Sequence, residues 1–227
     1  MTRRVDFDQF TENYNQLLNE QTRFFSANEE YFARYKVEIV RKQVSSPVRR
    51  LLEYGCGIGR NIPFIQKVFP NAEIVGSDIS GASLEIARRT NAGAEFVEED
   101  EDEDSIGQFD VIFVAGVFHH VAREQRVDLA RILSKRLLPD GSLFVFEHNP
   151  FNPITRRIVN SCPYDRDAVL LKPSELQQIL RQTALVIKSK AYCLFVPPRL
   201  SLLTPLESRF GWLPLGGQYW VEARHSP

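Results

Sequence analysis

The segment Leu51-Leu52-Glu53-Tyr54-Gly55-Cys56-Gly57-Ile58-Gly59-Arg60-Asn61 constrains this chain more than any other stretch. A short apolar strand runs directly into a loop with glycine at every second position. Pro63 then falls in what reads as a first helical turn, where its missing N–H costs little. Glycines spaced in this way let the backbone turn tightly at positive φ and approach a ligand with no Cβ between them. The helix that follows aims its N-terminal N–H groups at the same point, which suits a phosphate or a carboxylate.

The pattern then repeats along the chain. "AEIVGSD" predicts a second strand and "SGASLEIARRT" a helix with Leu84 and Ala87 inward. "AEFVEED" predicts a third strand. "FDVIFVAGVF" is a continuous apolar run of the kind buried on both faces. Val127, Ala130, Leu133 and Leu137 recur at helical spacing, "PDG" reads as a turn, and "SLFVFEH" as a fifth strand. Ser174 with Gln177 predicts a capping box, and "LVIKSKAYCLFV" and "QYWVEAR" are two further strands. Strands alternating with helices imply an α/β fold with right-handed crossovers. The expectation is a doubly wound, mostly parallel seven-stranded sheet with an antiparallel edge strand and helices on both faces. Residues 1–46 read as an N-terminal helical cap, because Tyr31, Phe32, Tyr35 and Ile39 share one face. Residues 47–227 read as the core, with 197–217 an apolar insert before the last strand. Ligands of such sheets bind beyond the carboxyl ends of the strands, where strand order reverses.

Loop spacing discriminates between ligands. A dinucleotide fingerprint is G-x-G-x-x-G, but here the third glycine, Gly59, comes one position early and Arg60 stands where that glycine belongs. In this loop, and in four later features, the chain resembles class I methyltransferases, which use S-adenosylmethionine. The features are the acid Glu53 before G-x-G-x-G, Asp78 about twenty residues on at the end of the second strand, and Asp100 after the third. The others are "FDVIFVAGVFHHV" and "LLPDGSLFVFEH". The resemblance covers 49–148 and continues more loosely to Arg224. It implies an S-adenosylmethionine site built from Glu53, Gly55, Cys56, Gly57, Gly59, Asn61, Asp78, Ile79, Asp100, Glu101, Ala115 and Gly116, with S-adenosylhomocysteine as product. Asp78 would hold the ribose and Ala115 and Gly116 would wall the sulfonium. Seven consecutive acids from Glu98 to Asp104 leave open which of Glu99, Asp100 and Glu101 serves the adenine.

Methyl transfer is an in-line displacement, so the protein chiefly aligns the partners and excludes water. A base is needed only where the acceptor must lose a proton. His119 and His120 follow the fourth strand, while Glu147 and His148 close the fifth. Histidine is the side chain best poised to take a proton near neutrality. His119, His148 and Glu147 are therefore the candidate catalytic groups. A metal reading of His119, His120 and His148 lacks an acidic ligand in the loop after the fourth strand, so no metal is expected. Tyr14, Tyr31, Tyr35, Asn149 and Arg156 are candidate contacts for a substrate. Lys36 and Arg60 read as solvated charge, with the cofactor carboxylate as the other possibility.

Residues 197–217 carry six leucines, Phe210 and Trp212, apolar surface that something must cover. A wall for an apolar substrate is the first reading, with a homodimer contact and a membrane surface as the others. A formal net charge of -1 gives no basis for nucleic-acid binding. Nowhere are there about 18 consecutive apolar residues, so no membrane span is expected. Three cysteines without ligand spacing point to a reducing, cytoplasmic setting. The expected function is methyl transfer to an O, N or C nucleophile of a small, partly apolar molecule. A non-catalytic cofactor-binding partner subunit and a nicotinamide-dependent oxidoreductase are the alternatives.

Overall fold

A computed structural model describes residues 29–99, 106–196, 204 and 206–226. Tyr14, Asp100, Glu101 and 197–203 of the apolar insert lie outside the described residues. The chain runs α1 (Glu29–Gln43), β1 (Arg50–Tyr54), α2 (Ile62–Val68), β2 (Glu73–Asp78), α3 (Gly81–Thr90), β3 (Glu95–Glu98) and β4 (Phe109–Ala115). It continues with α4 (Arg126–Lys135), β5 (Leu137–His148), α5 (Pro153–Ser161), α6 (Pro173–Arg181), β6 (Leu185–Cys193) and β7 (Gln218–His225). The strands form one sheet of order β3-β2-β1-β4-β5-β7-β6. β1 pairs in parallel with both β2 and β4, so strand order reverses there. That places the ligand crevice at the carboxyl ends of β1 and β4.

Alternation along the central strands explains the two-sided core. On one face Leu52, Ile112, Val114, Leu143 and Val145 pack with Leu129 and Leu133 of α4 and Leu176 and Leu180 of α6. On the other, Leu51, Val111, Phe113, Phe144 and Phe146 pack with α2, α3 and Val37 and Val40 of α1. Consecutive residues of a strand point to opposite faces, so a continuous apolar run serves both.

Two expectations change in detail. The Pro139-Asp140-Gly141 stretch lies inside β5, whose register with β4 shifts between Phe109 and Val111. Helix α6 begins at Pro173 with Lys172 as its cap, not at Ser174, because proline suits the first helical turn. The last two strands close this side of the sheet as expected, with β7 antiparallel between β5 and the edge strand β6. Local caps are clearer elsewhere: Ser80 Oγ accepts the N–H of Ser83, and Asn152 Oδ1 accepts those of Ile154 and Thr155. No described helix is long and apolar enough to cross a membrane.

Leu52 is fully buried at the centre of the first face. Leu52→Ala should lower unfolding stability by about 2–5 kcal/mol, read from the urea midpoint. Arg89→Ala removes only an exposed ion pair with Glu85 and should leave that midpoint unchanged.

Candidate active site

The glycine loop leaves β1 with Gly55, Gly57 and Gly59 all at positive φ, of 71°, 53° and 76°. The three have different physical reasons. A Cβ on Gly55 would lie 2.4 Å from Cγ2 of Val117, and one on Gly59 would lie 2.6 Å from Nδ2 of Asn91. A Cβ on Gly57 would meet nothing within 4 Å. Gly55 and Gly59 are therefore demanded by the protein's own packing, whereas Gly57 borders open space. The N–H groups of Gly55 and Cys56 donate to the Ser77 carbonyl at 2.8 and 2.9 Å, and that of Gly57 donates to Asp78 Oδ2 at 2.7 Å. Cys56 is buried beneath the loop, and burial pushes its thiol pKa up, away from reactivity.

Glu53 points into the same place from β1 and is only 1% exposed. Its Oε1 accepts from Asn61 Nδ2, but its Oε2 has no partner among the described residues. Burial pushes its pKa up to about 8, against the opposing influence of Asn61 and Lys36. Asp78 ends β2 with Oδ1 on the Ser80 N–H, and burial raises its pKa too. Ile79 beside it is 61% exposed, unusual for isoleucine in an α/β crevice. Lys36 of α1 is half-buried, and burial with the nearby Arg60 disfavours its charge. It is thus not the fully solvated charge that the sequence suggests. Ala115 and Gly116 are half-buried at the end of β4, and Gly116 donates to the Phe146 carbonyl at 2.9 Å.

The histidines form a second cluster beyond β4 and β5. Glu147 accepts the Phe118 N–H on Oε1 at 2.8 Å and faces His119 Nδ1 through Oε2 at 2.6 Å. Both carboxylate oxygens are committed, which leaves Glu147 a clamp for His119 and not a free base. The Nε2 atoms of His119 and His120 approach one oxygen of Asp165, at 3.7 and 3.4 Å. His120 Nδ1 faces Asp167 at 3.4 Å. Burial disfavours charge on His119, but Glu147 and Asp165 outweigh it and raise its pKa to about 9. His148, whose ring centroid lies 5.1 Å from that of His119, is pushed the other way. Burial and the His119 charge lower it to about 4, so its imidazole is neutral at neutral pH. Its ring makes no hydrogen bond to another described residue.

Several expected substrate contacts are occupied elsewhere. Asn149 is fully buried, with its amide donated to the Pro214 and Gly216 carbonyls and its oxygen on the Phe151 N–H. It anchors the end of the apolar insert to β5. Arg156 is exposed on α5, beside a surface hollow lined by Pro153, Arg157 and Asn160. Tyr35 donates to Glu207, a buried carboxylate that also accepts the N–H groups of Leu194 and Val196. Tyr31 lies 3.4 Å from Thr204 Oγ1. These tyrosines join α1 to the insert. Asp165, Asp167, Glu207 and Gln218, whose buried Oε1 has no partner among the described residues, went unread in the sequence. The acids of "CPYDRD" were the available signal, but they follow the fifth strand and not the fourth.

Residues 52–143 match the model of a family described as "Methyltransferase domain". An uncharacterized protein of Rickettsia prowazekii is 31% identical over 104 residues, and one of a Synechococcus strain is 33% identical over 105. These matches cover 42% and 43% of this chain but only 41% and 25% of the relatives. Among solved structures, a TehB-like SAM-dependent methyltransferase of Corynebacterium glutamicum has a TM-score of 0.64 at 15% identity, covering 96% of this chain and 99% of that one. A possible histamine N-methyltransferase of Thermotoga maritima has 0.67 at 18%, covering 97% and 98%. The plantazolicin methyltransferase BpumL, in complex with SAH, has 0.62 at 21%, covering 96% and 90%. The fold is that of the class I, Rossmann-like methyltransferases. Within it, residues 52–143 are the stretch that matches the methyltransferase-domain model.

The His119–Glu147 pair has a direct readout. Glu147→Gln removes the charge that holds the His119 proton, so the imidazole pKa should fall from about 9 by more than one pH unit in an NMR titration. An unchanged value would mean that Glu147 does not set the charge of His119.

Proposed function

We propose that this chain transfers the methyl group of S-adenosylmethionine to an oxygen, nitrogen or carbon of a small, partly apolar acceptor. The observation that carries this reading is Glu53 Oε2, a buried carboxylate oxygen without a partner among the described residues, at the loop where Gly57 borders open space. A buried orphan of this kind costs the fold about 1–3 kcal/mol, and a ligand ammonium would relieve it. An amino-acid group fits this place better than a pyrophosphate, which an adjacent carboxylate would repel.

The other residues fit the same ligand. Asp78 offers its remaining lone pairs to ribose hydroxyls, and the exposed Ile79 offers an apolar face to the adenine. Ala115 and Gly116 are small enough to let a sulfonium lie against the end of β4. Bound there, S-adenosylmethionine supplies an electrophilic methyl group on a positively charged sulfur. The chain's own residues align the acceptor and keep water out. His148, neutral and without a hydrogen-bond partner among the described residues, takes the acceptor proton where there is one. His119, clamped by Glu147, fixes the neighbouring wall. Tyr31 and Tyr35 hold α1 against the described part of the insert through Thr204 and Glu207.

Calorimetric titration tests the central claim. S-adenosylmethionine should bind and NAD should not; the reverse would sink the proposal. Asp78→Ala and Glu53→Gln should each weaken S-adenosylmethionine binding by about 1–3 kcal/mol. The pH dependence is specific. Ligand-free Glu53 holds a proton below about pH 8, and an ammonium ligand favours its ionised form, so affinity should rise toward that pH and fall above it as the ligand's own amino group loses its proton. Glu53→Gln should lose this rise.

A further inference from the structure

We infer that His119, His120 and Asp165 form a binding site for a first-row divalent transition-metal ion at the edge of the acceptor pocket. Their donor atoms all lie within 4.8 Å of one another. The separations themselves are informative. His119 Nε2 and His120 Nε2 stand 3.7 and 3.4 Å from the same Asp165 oxygen. That is long for a charge-assisted hydrogen bond, which closes to about 2.7–2.9 Å. It is close to the spacing of neighbouring ligands around one shared ion, about 3.3–3.5 Å when each bond is about 2.0–2.1 Å.

The outer contacts agree. A metal-bound imidazole usually turns its other ring nitrogen to a carboxylate, which fixes ring and tautomer. His119 does so tightly, with Nδ1 facing Glu147 at 2.6 Å, and His120 Nδ1 faces Asp167 more loosely at 3.4 Å. Both therefore turn Nε2 to the same point. Charge points the same way. Glu147, Asp165 and Asp167 bring three carboxylates to His119 and His120, negative charge that a divalent ion would offset. Two imidazoles and one carboxylate suit zinc, iron, cobalt or nickel better than magnesium, which prefers oxygen ligands. His119 is 2% exposed, but His120 and Asp165 are 11% and 12% exposed, so the ion has a way in from their side. Binding requires the neutral imidazole, so the ion replaces the proton on His119.

The consequence for the substrate rests on the proposed methyl transfer. The His148 ring is 5.1 Å from that of His119, so an ion here would hold an acceptor through an oxygen donor such as a hydroxyl, next to the proposed base. The metal site itself stands apart from that reading, because it is measured without S-adenosylmethionine.

The experiment is calorimetric titration of chelator-treated full-length protein with Zn²⁺, Co²⁺ and Mg²⁺. Cobalt absorption bands report the ligand field. The expected result is one Zn²⁺ or Co²⁺ per chain at micromolar affinity, weak Mg²⁺ binding, and at least a tenfold loss in both His120→Ala and Asp165→Asn. Asp167→Asn should weaken binding less. Thermal unfolding and S-adenosylmethionine titration of the same variants confirm that they remain folded. Absence of saturable one-to-one binding by wild type would overturn the site, as would affinity unchanged in the two folded ligand variants. A protein that binds S-adenosylmethionine but no metal would refute this inference and leave the proposed function standing; the converse result would do the opposite.

Discussion

The backbone hydrogen bonds from Gly55 and Cys56 to the Ser77 carbonyl hold the end of β1 to the end of β2. Everything at the crevice depends on that tie. It forces the chain to turn at positive φ just beyond the strand, where a side chain at position 55 would run into Val117. It also carries Gly57 to Asp78 and leaves the first turn of α2 beside Glu53. The strands on either side make the tie rigid, because β1 is buried on both faces and paired along both edges.

Two buried glutamates, near the carboxyl ends of β1 and β5, behave in opposite ways. Glu147 has both oxygens bonded, and although burial opposes its charge, His119 keeps its pKa low. Glu53 keeps one oxygen unbonded, and burial raises its pKa to about 8. A satisfied buried carboxylate organises the protein, whereas an unsatisfied one adds a cost that a ligand can remove. The same distinction separates His119, held between carboxylates, from His148, whose ring meets no hydrogen-bonding partner among the described residues. Different roles for like residues thus follow from local burial and bonding, not from residue type.

Much of the site was legible because it is local in the chain. Gly55, Gly57 and Gly59 follow directly from the β1 run, and Asp78 and Ile79 from β2, since each strand's alternation tells where it ends. The candidate acceptor side was legible only in part. His119, His120 and His148 were recognisable as strand-end residues, but the spacing gave no sign that they share carboxylates. Asn149 read as a substrate contact because it follows a strand end, yet its amide closes onto Pro214 and Gly216. Tyr35 read as a candidate substrate contact in the N-terminal cap, yet it meets Glu207 across 172 positions of sequence.

The sequence by itself determined the order of strands and helices, the two-sided core and the glycine loop. These depend on periodicities and turn preferences that act over a few residues. Only the tertiary structure decided which polar groups remain unsatisfied at Glu53 and Gln218 and which carboxylates reach the histidines. It brought Asp165 to His119 and His120, the acid that the loop after the fourth strand lacks. Those outcomes depend on burial and on contacts between segments far apart in the chain, which no local pattern encodes.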